Sequence, residues 1–323
     1  VRDFFAFVRR FGIPFGLLAL SVAIAGATLA RYAAPVSPPS TTTVAPSPEP
    51  TLTPTPTPSP TPEPPSLSAR SVLVVDLTTD RILLERASRT PLPPASTLKL
   101  LTALTAVEIL SFEEIVTVQP EDTVDPARES AMGLDVGDTI TVHDLLLGLL
   151  LPSGNDAARA LARSAGERLA GPPDRPPRER FLVAMQEKAR ELGLSETVVL
   201  TPDGDDVPGQ TASARDLLQL ARAILDHPEL AALVALRTAQ VRVGGPKARV
   251  LELRNTNELL GQHGVIGIKT GTTPEAGQCL VAAWRTSDGR TFVAIVLESQ
   301  NRYGDMRAII DWVARTTGSA PVP

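Results

Sequence analysis

The chain has 323 residues, 43% of them hydrophobic, which is enough to fill one large core or two small ones. Four arginines against one aspartate give the first 31 residues +3, so of the net −5 the rest of the chain carries −8, and nucleic acid is excluded as a partner. A lone cysteine, Cys279, rules out an internal disulfide, and His143, His227 and His263 lack metal-ligand spacing, so neither a metal nor another cofactor is implied.

Taken in chain order, Ile13 to Ala30 carries no charge, and these 18 residues would span about 27 Å as a helix, just enough for a bilayer. Arg9 and Arg10 precede the segment and only Arg31 follows it, which keeps the N-terminus cytoplasmic. A cleaved signal peptide is the competing reading, with Ala25-Gly26-Ala27 as its cleavage site. The length of the apolar run favours an uncleaved single-pass anchor, and either reading exports the chain beyond residue 31. Between Pro35 and Pro65 lie 13 of the 31 prolines, mixed with Ser and Thr, too polar and too stiff to bury a core. This is an extended spacer with a reach of up to roughly 100 Å. The expected organisation is therefore anchor at 1–34, linker at 35–66 and a folded domain at 67–323.

In the folded part, Ser71 to Leu77 and Arg81 to Arg86 read as strands joined by a Thr-Thr-Asp turn. A helix-rich stretch comes next, from about Ser96 to Pro228. Strands recur at Gly264 to Thr270, Gln278 to Arg285 and Thr291 to Glu298, and a helix over Tyr303 to Thr317 closes the chain. Cys279 lies within the second of these strands, in an apolar run, and reads as a core residue. Strands at both ends with helices between predict an α+β fold: a mainly antiparallel sheet flanked by helices, with an inserted helical subdomain.

Three short motifs carry chemistry. From Thr97 to Val107 the only charge is Lys99, so the helix is buried and its lysine is costly unless it has a task. Ser96 stands three residues before it, on the same helix face. Burial lowers the amine's pKa, and a neutral Lys99 can take the Ser96 proton. The plain alternative is an N-cap serine with a snorkelling lysine. Ser153-Gly154-Asn155 falls between two helical patterns, where Ser153 would relay a proton to a leaving amine and Asn155 would bond a substrate amide. Lys269-Thr270-Gly271 ends a strand. Its ammonium and hydroxyl suit a terminal carboxylate, and Gly271 leaves room for an extended peptide. The N–H of Thr272 would pair with that of Ser96 as an oxyanion hole. The chain has only four lysines, Lys99, Lys188, Lys247 and Lys269, and two of them fall in these motifs.

In these motifs the sequence resembles the low-molecular-mass penicillin-binding proteins, the D-alanyl-D-alanine carboxypeptidases of serine peptidase family S11. The resemblance runs from about Ala69 to Val313. It includes Ser130-Ala131-Met132-Gly133-Leu134, Leu149 to Ala158, Asn255-Thr256-Asn257 and Gly264 to Gly271. It implies catalytic roles for Ser96, Lys99, Ser153 and Asn155 and substrate binding by Lys269, on a β-lactamase/transpeptidase-like fold. It also implies a peptidoglycan stem peptide as substrate, β-lactams as inhibitors and a location outside the membrane. Thr201 and Asp205 replace the Asn and Leu usual in an Asn-Pro-x-Gly-Leu loop, which puts that loop's geometry in question. Two other readings stay open. A class A β-lactamase needs an E-x-x-L-N motif, and none occurs between Ser153 and Lys269. A non-catalytic wall-binding or penicillin-sensing module would suit the anchor and spacer, although the motif residues are intact.

Overall fold

Residues 62–322 are described by the computed structural model of the chain, and they belong to one unit, Ser59–Pro323. The expected apolar span at 13–30 and most of the proline-rich spacer lie outside the described residues. Among the described residues no helix is long and apolar enough to cross a membrane. The last residues of the proline-rich stretch are in place: Pro62 accepts a hydrogen bond from the Trp312 indole at 3.0 Å.

The chain opens with an antiparallel hairpin, β1 (Ser71–Asp76) and β2 (Arg81–Arg86). A 3-10 turn, Ala95–Leu98, leads into α1 (Lys99–Val107). Short strands β3 (Ile115–Thr117) and β4 (Thr139–Thr141) pair with each other. Helices α2 (Val142–Leu150), α3 (Asn155–Arg168), α4 (Pro177–Glu191), α5 (Ala214–Asp226) and α6 (Pro228–Val234) come next. A second small hairpin, β5 (Thr238–Val243) and β6 (Arg249–Arg254), precedes the long strands β7 (Val265–Thr273), β8 (Gly277–Arg285) and β9 (Thr291–Ser299). The last element is α7 (Arg302–Thr317).

The main sheet is antiparallel throughout, in the order β2-β1-β9-β8-β7, so the first strands pair directly with the last. Both faces are covered, and alternate residues divide between them. Val72, Val74, Leu280, Trp284 and Val296 pack with Met306, Ile310 and Val313 of α7. Leu73, Val75, Val281, Val293 and Ile295 pack with the helices of the middle region, including Leu100 and Leu101 of α1. This is why β1 reads as an unbroken apolar run: every residue from Ser71 to Asp76 is buried. Helix starts obey local chemistry: Thr141, Ser213 and Asn301 cap α2, α5 and α7 by accepting from the N–H of Asp144, Asp216 and Gly304.

The expected α+β architecture is the one observed, with four local differences. Ser96 sits in the 3-10 turn, and the α-helix proper begins at Lys99. The middle region contains β3 and β4 as well as helices. The hairpin of β5 and β6 lies where no element was expected. Finally, Lys269-Thr270-Gly271 lies inside β7, which pairs with β8 through Thr273. Gly271 does not end the strand because its partner Cys279 continues the ladder.

Candidate active site

The turn carrying Ser96 is clamped from two sides by glycines. A Cβ on Gly204 would lie 2.1 Å from the Ala95 carbonyl oxygen, and one on Gly271 would lie 3.0 Å from the Ser96 nitrogen. Only residues without side chains let the loop around Gly204 and strand β7 approach this closely. Ala95 itself holds a left-handed φ of 47°, an uncommon conformation placed directly before Ser96.

Lys99 is fully buried one helical turn on. Its Nζ lies 2.9 Å from Ser96 Oγ, 2.7 Å from Asn155 Oδ1 and 2.5 Å from the Asp203 carbonyl oxygen. Burial depresses its pKa from 10.5 to about 8, working against the carboxylates of Asp203 and Asp205. The consequence is large: at pH 7 about one such amine in ten is neutral, against about one in three thousand for a free lysine.

Asn155 opens α3, with its N–H bonded to the Ser130 carbonyl at 2.8 Å. Its carboxamide is held by Lys99 at the oxygen and by Glu129 and Asp205 at the nitrogen. The neighbouring Asp156 carboxylate accepts from the N–H groups of Met132, Gly133 and Leu134, which fastens the Ser130–Leu134 segment to the start of α3. Ser153 has a left-handed φ of 69°, and its buried Oγ has no hydrogen-bond partner among the described residues.

Lys269 is also buried, and its Nζ donates to the Thr270 carbonyl at 3.2 Å. Burial first, then the charges of Lys99 and Arg302, push its pKa well below the ordinary lysine value. A buried cation next to other cations is poised to accept an anion. Thr270 Oγ1 lies 2.6 Å from Thr256 Oγ1. Arg302 donates to the carbonyls of Gly271 and Cys279 and to Thr272 Oγ1. With the Gly271 carbonyl turned to Arg302, the Thr272 N–H of the same trans peptide points the opposite way. Strand β7 is the last in the sheet, and among the described residues no further strand pairs with its outer edge, the kind of edge to which an extended peptide can add. A cavity of about 580 Å³ adjoins the Ser96 turn, walled by Pro93, Pro94, Asp205, Pro208 and Pro274.

The structure therefore brings Ser96, Lys99, Asn155 and the Lys269–Thr272 strand together. Sequence reasoning missed Glu129, Arg159, the Asp203 carbonyl and Arg302. Arg302 gave no signal, being the first residue of an ordinary surface helix. The departures at Thr201 and Asp205 have structural work. Thr201 accepts from the Gly204 N–H at 3.1 Å and bonds Gln210, closing the loop, while Asp205 holds Asn155.

A family model described as D-alanyl-D-alanine carboxypeptidase, peptidase S11, matches residues 59–301. The chain belongs to this family of serine peptidases. It is 33% identical over 256 residues to the D-alanyl-D-alanine carboxypeptidase DacB2 of Mycobacterium tuberculosis, covering 77% of this chain and 83% of that one. Against DacC of Escherichia coli it is 33% identical over 263 residues, spanning 62% of that longer protein. The crystal structure of the Streptomyces K15 DD-transpeptidase superposes with a TM-score of 0.72 at 28% identity, over 79% of this chain and 99% of that one.

Proposed function

We propose that the protein removes the terminal D-alanine from peptidoglycan stem peptides through an acyl-enzyme on Ser96, outside the cytoplasmic membrane. Family membership supports the reaction. The observation that carries the assignment of atoms is the 2.9 Å contact between Ser96 Oγ and the buried amine of Lys99.

Neutral Lys99 takes the hydroxyl proton as Ser96 Oγ attacks the carbonyl carbon between two D-alanines. The N–H groups of Ser96 and Thr272 receive the oxyanion. The C–N bond breaks as the proton held by Lys99 is relayed to the departing amine through Ser153, whose buried hydroxyl has no other described partner, leaving Lys99 neutral and Ser153 a hydroxyl again. Lys269 and Thr270 hold the terminal carboxylate during this step. Water activated by Lys99 then attacks the ester and frees the shortened peptide. A β-lactam presents the same carbonyl and carboxylate and acylates the same serine.

The test is incubation of the purified protein with a fluorescent penicillin, alongside D-alanine release from diacetyl-L-Lys-D-Ala-D-Ala with no amine acceptor added. A stable adduct and D-alanine release are expected, both lost in Ser96→Ala. Labelling that persists in Ser96→Ala refutes the assignment, and rapid nitrocefin turnover points instead to a β-lactamase.

A further inference from the structure

The Asn155 carboxamide is committed at both ends. Its Oδ1 accepts from Lys99 Nζ at 2.7 Å, and its Nδ2 donates to Glu129 Oε2 and Asp205 Oδ1, each at 3.0 Å. A flipped amide would turn its oxygen toward two carboxylates and its NH₂ toward an amine, so the acids dictate which way it points. Oxygens of Glu129, Asp203 and Asp205 lie within 4.8 Å of one another, a separation that like charges hold only with compensation. Arg159 of α3 supplies it, pairing with Glu129, with Asp203 at 3.2 Å and with Asp205 at 3.5 Å. One guanidinium against three carboxylates leaves negative charge facing the amine.

We propose that Glu129 and Asp205 are positioning residues for the reaction: they lock Asn155 with its carbonyl toward Lys99, and Asp205 adds negative charge beside the Lys99 amine. The proposal rests on Ser96 as nucleophile and Lys99 as its base. Other charges facing Lys99 are Asp203 from the same loop, Asp156 and Arg159 from α3, and Lys269 from β7. Asp203, Asp205 and Asp156 favour the ammonium, while Arg159 and Lys269 oppose it. Burial, then Asp203 and Glu129, raise the Asp205 carboxyl above its usual value, as expected for an acid crowded by other acids.

Removing the Asp205 charge thus leaves Lys99 easier to deprotonate. Asp205→Asn keeps an oxygen for Asn155 and loses only the charge, whereas Asp205→Ala loses both. The experiment is the second-order rate of fluorescent-penicillin acylation against pH for the wild-type protein and both variants, with melting temperatures measured in parallel. In Asp205→Asn the acid limb is expected to move down by about 0.5 pH unit or more, with the plateau within about threefold of wild type. In Asp205→Ala the limb moves likewise and the plateau falls about tenfold. An acid limb that stays in place in both variants overturns the proposal, including when the labelled fraction or melting temperature drops, because that is a merely structural role. Absence of labelling in the wild-type protein would instead sink the functional reading.

Discussion

Lys99 is costly to bury and useful for that reason. Its amine is out of water with three oxygen acceptors around it, and only a depressed pKa makes it a base near neutrality. This fixes the sign of the pH dependence. Below about 8 the amine is protonated and cannot accept from Ser96, so acylation is lost as pH falls through that value. Lys269 is depressed as well, so it loses the charge that holds a carboxylate at lower pH than an ordinary lysine would. With diacetyl-L-Lys-D-Ala-D-Ala over about pH 6–10, kcat should rise through about 8 while KM climbs on the alkaline side. A kcat that falls between about pH 6 and 8 would exclude Lys99 as the base. Lys99 was legible in the sequence because it is the only charge in an apolar helix. The Asp203 carbonyl was not, because a backbone oxygen carries no residue signature, and neither was the carboxylate pair on Asn155, whose members stand 76 positions apart.

At the scale of elements, β1, β8 and β9 of the main sheet were legible because burial on both faces makes them apolar runs, while the exposed β2 was legible from the turn that joins it to β1. The hairpin of β5 and β6 was not: in β5 only Val241 and Val243 are buried, so its alternation is short and diluted by polar residues. Start and end of the folded unit are tied by Asp305 in the first turn of α7. Its carboxylate accepts from the N–H groups of Ser68 and Ala69 at 2.9 Å and from the hydroxyls of Ser68 and Ser299 at 2.8 and 2.7 Å. Replacement by alanine removes the acceptor of all four, and of these donors the Ala69 N–H and the Ser299 hydroxyl are buried. Asp305→Ala should cost about 2–4 kcal/mol and lower the melting temperature by about 5–10 °C, while the penicillin adduct still forms at low temperature. An unchanged thermal melt would show that water replaces the carboxylate there.

For the molecule as a whole, the proposed location depends on the first 34 residues. If Ile13 to Ala30 is the anchor, penicillin-labelled protein in expressing cells stays with the membrane pellet through a high-salt wash and leaves it only with detergent. Labelled protein in the culture fluid, trimmed after Ala27, would establish the signal-peptide reading instead. The proline-rich stretch would then no longer set a distance from the bilayer.

Pairing of β1 with β9 has a consequence for how the protein is made. Ser71 meets Leu297, so a strand that leaves the ribosome early waits for a partner that leaves it late. Ser96 likewise waits for Gly271 to complete its clamp. A nascent chain stopped before β9 is not a weaker enzyme but a thread with an unfinished sheet and exposed apolar strands, a target for chaperones and proteases. For a protein proposed to act on the far side of a membrane, that delay is useful: the thread stays passable until its last strand is made.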